Sequence, residues 1–166
     1  MPAINLTIEK ATEKDIPLIQ DITNQVWPET YKAIITAGQI TYMLNMMYST
    51  ASLQKQMNDG HTFILVKDGD AYVAFASYAP VTENVYKLHK IYALADQQGK
   101  GIGRFIINHI IKEIKPAGAT TLQLDVNRNN KAKGFYEKLG FKVIEEKDTH
   151  IGNGYYMNDY VMAMPV

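Results

Sequence analysis

Three closely spaced glycines are the residues of this sequence whose spacing indicates a specific chemistry. Gly99, Gly101 and Gly103 occupy alternate positions. They lie between an apolar run at 88–94 and an amphipathic run at 102–114. Glycine has no Cβ atom, so a ligand can approach the backbone closely. The first amides of a following helix have no partner within the helix and lie at the positive end of its dipole. Together these features predict a binding site for a phosphate or pyrophosphate group.

The order of residues in this glycine loop excludes two common nucleotide-binding motifs. In the loop G-x-x-x-x-G-K-[ST] a hydroxyl residue follows the lysine, whereas Gly101 follows Lys100 here. In the dinucleotide motif G-x-G-x-x-G the third glycine position would hold Arg104 or Ile106. The remaining pattern is Q-x-x-G-x-G, which begins at Gln98 and is followed by a basic residue. A glycine-rich turn that only caps a helix is the alternative explanation.

The apolar periodicities predict the elements that must position this loop. Their order, β-α-α-β-β-β-α-β-α-β-β, indicates one α/β domain over residues 1–166, with a mixed, mostly antiparallel sheet of about seven strands and helices on both faces. The predicted strands are 4–11, 61–67, 71–78, 85–94, 120–126, 141–146 and 155–164. The predicted helices are 12–28, 39–58 (as one or two helices), 101–114 and 129–139. We expect the first helix to end near Trp27-Pro28.

The composition excludes several classes of protein. Basic and acidic residues number 17 each, so no net charge favours nucleic acid or an anionic membrane as a partner. No cysteine is present, which excludes disulfides, thiolate nucleophiles and cysteine-bound metals. The four histidines are dispersed and predict no catalytic metal. No signal peptide is visible, and no apolar run approaches the ~20 residues that span a bilayer, so a cytoplasmic protein is expected.

A second motif follows the glycine loop after one predicted strand. Residues 127–141 have the sequence N-R-N-N-K-A-K-G-F-Y-E-K-L-G-F. They match the pattern N-x-x-A-x-x-F-Y-x-K-x-G-F, although a helix end with Phe135 and Leu139 in the core would explain the same spacing. The two motifs and the element order together resemble the GNAT superfamily of N-acetyltransferases. The resemblance covers residues 61–164 well and the first sixty residues mainly by element order.

The resemblance implies acetyl-coenzyme A as the co-substrate. The glycine loop would hold its pyrophosphate, and the backbone of the preceding strand would hold the pantetheine arm and the thioester carbonyl. Asn129 and Asn130 would either contact coenzyme A or only cap the following helix. The predicted coenzyme A site comprises Ile91, Tyr92, Ala93, Gln98, Gly99, Lys100, Gly101, Ile102, Gly103, Arg104, Asn129, Asn130, Tyr136 and Lys138.

Acetyl transfer to an amine has three chemical requirements. The amine must lose a proton, the thioester carbonyl needs hydrogen-bond donors for its developing oxyanion, and the leaving thiolate benefits from a proton donor. The resemblance implies that Tyr136 is this donor, because it follows Ala132 by four positions as the motif requires. A tyrosine pKa of ~10 lies above that of a free thiol, so the transfer is feasible but needs tuning. A packed tyrosine with a backbone partner is the alternative.

The motifs do not specify the base. Many members of the family carry a glutamate on the strand before the glycine loop, but residues 86–90, Y-K-L-H-K, contain no carboxylate. Strand alternation predicts that His89 and Ile91 share one face, opposite Leu88. His89 is the candidate base, acting through water, because a histidine pKa suits neutral pH. A hydrogen-bonded strand histidine, Glu83 as the base, and deprotonation by water alone are the alternatives.

The acceptor amine is expected to contact the first helices and the last strands. Trp27, Tyr31 and Tyr78 are candidates for an aromatic wall, and Glu29 or Glu83 for attraction of a cationic amine. Packing in the N-terminal core is the alternative for each aromatic residue.

The leading hypothesis is an enzyme that transfers acetyl from acetyl-coenzyme A to a primary amine of a small molecule or peptide, by direct attack in a ternary complex. The W-x-x-T-Y patch at 27–31 and the segment 150–155 are similar to bacterial spermine/spermidine-type acetyltransferases, which nominates polyamines. A non-catalytic acyl-coenzyme A-binding regulatory module is the alternative, with Tyr136 as the discriminating residue. A nucleotide-binding protein is disfavoured by the missing hydroxyl after Lys100. A monomer or a homodimer is expected.

Overall fold

The computed structural model describes residues 5–166, and their element order is the predicted one. Residue 4, the predicted start of the first strand, lies outside the described residues. The strands are β1 Leu6–Lys10, β2 Thr62–Asp68, β3 Ala71–Pro80, β4 Val85–Ala93, β5 Thr121–Asn127, β6 Lys142–Gly152 and β7 Tyr155–Pro165. The α-helices are α1 Ile16–Tyr31, α2 Ala37–Tyr48, α3 Thr50–Asn58, α4 Ile102–Ile114 and α5 Ala132–Leu139. None of the helices in this described part is long and apolar enough to cross a membrane.

All seven strands belong to one sheet, in the order β1-β2-β3-β4-β5-β7-β6. Every neighbouring pair is antiparallel except β4 and β5, which are parallel. The prediction of a mixed, mostly antiparallel sheet is therefore confirmed. The parallel pair joins only Val85–Leu88 to Thr121–Leu124. Beyond these residues the two strands have no pairing with each other, so a gap opens in the centre of the sheet.

Two apolar cores lie on opposite faces of the sheet. The periodic isoleucines of α4, including Ile106, Ile107 and Ile110, are almost fully buried on one face. Helices α1 to α3 cover the other face, where Ile19 and Leu53 have no exposed surface. These stripes at helical spacing are what fix α4 and α1 against the sheet, since each buried aliphatic side chain contributes roughly 1.5–3 kcal/mol.

Side-chain caps begin the helices of the N-terminal region. The Thr12 amide donates to the Asp15 carboxylate at 2.8 Å in a capping box, which starts a 3-10 turn that continues into α1. Thr36 and Ser49 accept hydrogen bonds from the third residue of α2 and α3 respectively, and the residues predicted as one or two helices form two because Ser49 separates them.

Three predicted boundaries are wrong. Helix α1 continues through Pro28 to Tyr31. The proline lacks an amide hydrogen and so removes only one backbone hydrogen bond of the helix. The continued helix also keeps Trp27 in the core, where it is 2% exposed. Helix α5 begins at Ala132 and not at 129. Strand β6 runs to Gly152 and not to 146, because its pairing with β7 continues to the turn.

Candidate active site

A cleft with a volume of about 870 Å³ occupies the gap between β4 and β5. The glycine loop lies on one side of the cleft, and α1, α2 and β7 lie on the other. Most predicted site residues line it: Trp27, Tyr31, His89, Ile91, Tyr92, Ala93, Gln98, Gly99, Gly101, Ile102, Gly103, Asn130 and Tyr136. Six predicted residues are not among those that line it: Tyr78, Glu83, Lys100, Arg104, Asn129 and Lys138. The cleft therefore brings together residues from both sequence motifs.

The three positions of the loop require glycine for different structural reasons. Gly99 and Gly101 adopt positive φ angles of 82° and 78°, and a Cβ atom on either would meet nothing within 4 Å. They shape the turn and leave the backbone open to a ligand. Gly103 has no positive φ, but a Cβ atom there would lie 2.8 Å from the Phe135 ring. This third glycine lets α4 pack closely against α5.

The start of α4 is suited to an anion. Gly101 is the N-cap residue, and no side chain caps the helix. The first amides of α4 therefore lack a capping partner and lie at the positive end of the helix dipole beside the cleft. This backbone arrangement fits a pyrophosphate group.

Strand β4 contributes free backbone beside the same loop. Its residues after Leu88 have no partner on β5. Because backbone amides and carbonyls need hydrogen-bond partners, this free edge of β4 at Ile91–Ala93 offers them to an extended ligand in the cleft.

A β-bulge in β4 changes the predicted side-chain faces. Ser77 pairs with Lys90 and Tyr78 pairs with Leu88, so His89 is an additional residue opposite β3. Leu88 and Ile91 consequently pack on the same core, which lies under α4. The predicted alternation, with Leu88 opposite Ile91, is wrong because the extra residue reverses the phase of the strand.

Tyr136 points from α5 into the cleft. Its side chain is only 8% exposed, and its ring packs against Phe135 and Phe141 at centroid distances of 5.4 and 5.8 Å. Burial, with a smaller contribution from Tyr31, raises the pKa of the Tyr136 hydroxyl above its usual value. The hydroxyl is therefore protonated at neutral pH and able to donate.

His89 lines the cleft and stacks on His61, with ring centroids 4.3 Å apart. Desolvation at the cleft, and next the nearby His61, Lys87 and Lys90, lower the pKa of His89 to about 3, although the residue as a whole is exposed. The ring is neutral at physiological pH but is a weak proton acceptor. Its predicted role as base stays a prediction.

Lys90, which follows His89, is a buried cation of this cleft. Its Nζ donates to Gln56 Oε1 at 2.7 Å and lies 5.2 Å from the centre of the Tyr48 ring. Burial, and next the charge of Lys87, lower its pKa to about 8.

Asn130 lies one residue before Lys131, the N-cap residue of α5, and no side chain caps this helix at that position. Its Oδ1 accepts from the Ala132 amide at 2.9 Å at the start of α5, and Asn127 Oδ1 accepts from the Asn129 amide in the same way. Asn130 also lines the cleft, whereas Asn129 is exposed.

The aromatic wall has a different membership from the predicted one. Trp27 packs against Tyr31, Tyr48 and Tyr92 at centroid distances of 4.6, 5.6 and 5.9 Å. Tyr78 belongs to the opposite core beneath α4, because it lies on the same face of β3 as Ala74 and Ala76, which pack in that core. Its expected place in the wall is wrong.

The predicted acidic residues are distributed differently too. Glu29 lies at the cleft and pairs with Lys32 at 2.8 Å. Glu83 is exposed in the turn between β3 and β4, away from the cleft, which contradicts its assignment to the acceptor site.

Two aspartates on neighbouring strands were not predicted as site residues. Asp125 on β5 and Asp159 on β7 both line the cleft. Asp159 is only 4% exposed, within a strand of otherwise apolar inward-facing residues such as Val161. The sequence signal for Asp159 was a carboxylate at a strand position that alternates with buried apolar residues. Carboxylates are rarely fully buried unless they are paired, so such a position indicates a site residue.

Hydrogen bonds attach the segment around the β6–β7 turn to α2. Gln39 Nε2 donates to the Tyr156 carbonyl at 2.7 Å, and the Tyr42 hydroxyl donates to the Ile151 carbonyl at 2.7 Å. The Tyr42 and Tyr155 rings pack at 5.2 Å. These contacts close one side of the cleft.

Within residues 5–166, no three histidine, cysteine, aspartate or glutamate side chains are grouped so that they could hold a metal ion.

The seven-stranded sheet with its separated parallel pair, and the glycine loop beside that gap, are those of the N-acetyltransferase class. The model of the acetyltransferase (GNAT) family matches residues 20–141, and the chain belongs to this family. The resemblance inferred from the two motifs is thereby confirmed.

Similar proteins carry related names. The chain is 30% identical over 90 residues to a [ribosomal protein bS18]-alanine N-acetyltransferase of Haemophilus influenzae, covering 53% of this chain and 61% of that relative, less than two thirds of it. It is 30% identical over 113 residues to the enzyme of that name from Salmonella typhimurium, covering 66% and 76%. The fold is similar to the PaiA N-acetyltransferase of Thermoplasma acidophilum, solved in complex with coenzyme A, with a TM-score of 0.83, 21% identity, and coverage of 98% of this chain and 100% of that one.

Proposed function

We propose that this protein transfers the acetyl group of acetyl-coenzyme A to a primary amine, which attacks directly in a ternary complex. The observation that carries the proposal is that buried, protonated Tyr136 shares one cleft with the glycine loop. A proposed donor site and a proposed proton source thus share one cleft, as thioester aminolysis needs. A regulatory module without catalysis would have no use for this tyrosine beside the loop.

Bound acetyl-coenzyme A would supply the activated acetyl group. The uncapped amides at the start of α4 would hold its pyrophosphate, and the free edge of β4 would bind its pantetheine arm. Amides of the same edge would donate to the thioester carbonyl oxygen as negative charge develops there.

Tyr136 would protonate the leaving sulfur. As the amine nitrogen bonds to the carbonyl carbon and the carbon–sulfur bond breaks, the Tyr136 hydroxyl gives its proton to the thiolate. Because the raised pKa makes Tyr136 a weaker acid than a thiol, this transfer requires that the second proton lost by the nitrogen reach the Tyr136 oxygen in the same step.

The acceptor would be either a polyamine-like small molecule or the α-amine of a peptide. The names of the relatives, which specify an alanine of a ribosomal protein, support the peptide. The acidic and aromatic lining of the acceptor side, with Asp159, Trp27 and Tyr31, supports a cationic amine of either kind. The cytoplasmic location and the monomeric or dimeric state stay predictions.

The test is turnover of acetyl-coenzyme A, followed as free thiol. The acceptors would be spermidine, spermine, single amino acids, aminoglycosides and peptides that begin with alanine, with an N-acetylated peptide as the control. Thiol release that depends on a free amine, with the acetylated product confirmed by mass spectrometry, is expected. Tight binding of acetyl-coenzyme A without turnover on any of these amines would contradict the proposal and favour a regulatory module.

A further inference from the structure

The two aspartates of the cleft have opposite surroundings. Asp125 Oδ2 accepts from Lys87 Nζ at 2.8 Å and pairs with Lys147 Nζ at 3.0 Å. Asp159 lies on the adjoining strand, where its backbone pairs with Asn127 on one side and Lys147 on the other. Nevertheless, Lys147 directs its amino group to Asp125. Both nearby lysines are therefore used by one of the two carboxylates.

Asp159 is left with a buried carboxylate oxygen that has no partner. Its Oδ2 is shielded from solvent and makes no hydrogen bond to the residues that the structure describes. The residue is 4% exposed and lines the cleft. An unsatisfied buried carboxylate is costly, so the group calls for a partner, which a cationic ligand in the cleft would supply.

We propose that Asp159 binds the ammonium group of the acceptor and takes a proton from it before acetyl transfer. This inference rests on the proposed function, whose acceptor it specifies as a cationic primary amine. A protonated amine on the side of the Asp159 carboxylate that lines the cleft would compensate its charge with a charge-assisted hydrogen bond that none of the described residues provides. The same contact would place the nitrogen on the acceptor side of the cleft, opposite the glycine loop.

The proton and electron balance of this step is complete. One ammonium proton moves to Asp159, which leaves the nitrogen lone pair free to form the carbon–nitrogen bond while the carbon–sulfur bond breaks. Tyr136 gives its proton to the sulfur, and the second proton lost by the nitrogen restores the Tyr136 hydroxyl. Asp159 then releases its proton to solvent, so each turnover yields amide, free thiol and one proton.

The electrostatics around Asp159 suit this role. Burial first, and then the charge of Asp125, raise the pKa of Asp159 to about 6, while Lys147, Lys87 and Arg128 lower it. Tyr31 on α1 also faces it. The carboxylate is ionised at neutral pH and still basic enough to accept a proton, whereas His89, with a pKa of about 3, is a much weaker acceptor.

The experiment compares Asp159→Asn with the matched control Asp70→Asn, which removes the same charge from an exposed site in the turn between β2 and β3. For each amine that the wild type acetylates, we expect kcat/KM of Asp159→Asn to fall at least about hundredfold, within the range for loss of a general base. Acetyl-coenzyme A affinity should be unchanged. The acid limb of the wild-type pH profile, with its inflection near 6, should disappear. The control should resemble the wild type.

A merely structural role would give a different result. If Asp159 stabilised the fold, Asp159→Asn would unfold at a lower temperature. We expect the opposite, because asparagine has the same shape and removes an uncompensated buried charge. Retention of kcat/KM within threefold for every accepted amine would overturn the inference and leave the proposed function intact.

A binding measurement covers the case in which the wild type acetylates none of the amines. The fluorescence of Trp27, the only tryptophan in the sequence, reports from the cleft wall. Spermidine and alaninamide would be titrated into protein saturated with coenzyme A. Binding that weakens at least tenfold in Asp159→Asn would support the ammonium site although the proposed function had failed. Equal binding by both proteins, or none by the wild type, would overturn the inference.

Discussion

The hydroxyl of Tyr31 lies 2.9 Å from the hydroxyl of Tyr92, and this hydrogen bond joins α1 to β4 at the side of the cleft. Trp27 packs against both rings. Burial is the main cause that raises the pKa of each hydroxyl, so both are neutral. The pair therefore forms a rigid uncharged wall, and the negative charge on the acceptor side resides on the carboxylates.

Removing one member of this pair should destabilise the protein. In Tyr31→Phe the buried Tyr92 hydroxyl loses its partner, at a cost of about 1 kcal/mol. The unfolding temperature should fall by about 2–4 °C. The double variant Tyr31→Phe/Tyr92→Phe should be less destabilised than the sum of the single variants, which a double-mutant cycle of urea unfolding would measure. Strictly additive effects would show that the two hydroxyls do not interact.

A carboxylate in the glycine loop should prevent coenzyme A binding. Gly101→Glu places a negative charge at the start of α4, where the pyrophosphate is expected. Acetyl-coenzyme A affinity measured by calorimetry should fall at least about hundredfold, which is ~2.7 kcal/mol. Gly118→Glu is the matched control, since Gly118 also has a positive φ, 97°, and open space around its Cβ position, but lies at the far end of α4. Equal affinity of the two variants would refute the assignment of the loop.

Loss of the Tyr136 hydroxyl should affect catalysis and not donor binding. In Tyr136→Phe the ring still packs against Phe141, while the proton source for the thiolate is removed. We expect kcat to fall about hundredfold, with acetyl-coenzyme A affinity nearly unchanged. Tyr86→Phe, on the core under α4, serves as the control. Normal turnover by Tyr136→Phe would exclude this tyrosine as the acid.

The hydrogen bonds that attach the β6–β7 turn to α2 should affect binding of the acceptor and not binding of acetyl-coenzyme A. A Cβ atom on Gly152 would collide with the Tyr42 hydroxyl, which donates to the Ile151 carbonyl. Gly152→Ala should raise KM for the acceptor and leave that for acetyl-coenzyme A unchanged. Gly154→Ala is the control, because Gly154 also has a positive φ, 77°, but no atom within 4 Å of its Cβ position. Steady-state kinetics with both substrates varied would compare the variants, and equal acceptor KM values would count against this role.

The raised pKa of Asp159 should appear as a pH dependence of stability. The folded protein binds this proton more tightly than the unfolded chain, because the pKa rises from 3.8 to about 6 on folding. The wild type should therefore lose stability relative to Asp159→Asn as pH rises from about 4 to 6, by up to about 3 kcal/mol. Urea unfolding of both proteins at pH 4, 6 and 8 measures this difference. A constant difference across the range would show that the Asp159 pKa is not raised.

Most of the fold was predictable because its signals are local. The isoleucines of α4 repeat at helical spacing, and the strands of the sheet alternate or end at glycine turns, so element type and order follow from short segments. The wrong boundaries have non-local causes. Trp27 is buried by residues from other helices, which keeps α1 helical beyond Pro28, and β6 is lengthened by its pairing with β7.

The features of the candidate site also divide into those with local sequence signals and those that depend on distant segments. The glycine loop and the Tyr136 helix were identified from the sequence alone, because their function depends on residues a few positions apart and on backbone conformations that glycine permits. The sequence thereby determined the family and the expected donor. Only the tertiary structure placed Ile91 on the same core as Leu88 and Asp159 in the cleft, since one extra residue at His89 reverses the phase of β4, and β7 pairs directly with β5. Side-chain direction depends on strand register, and register is set by pairing between distant segments.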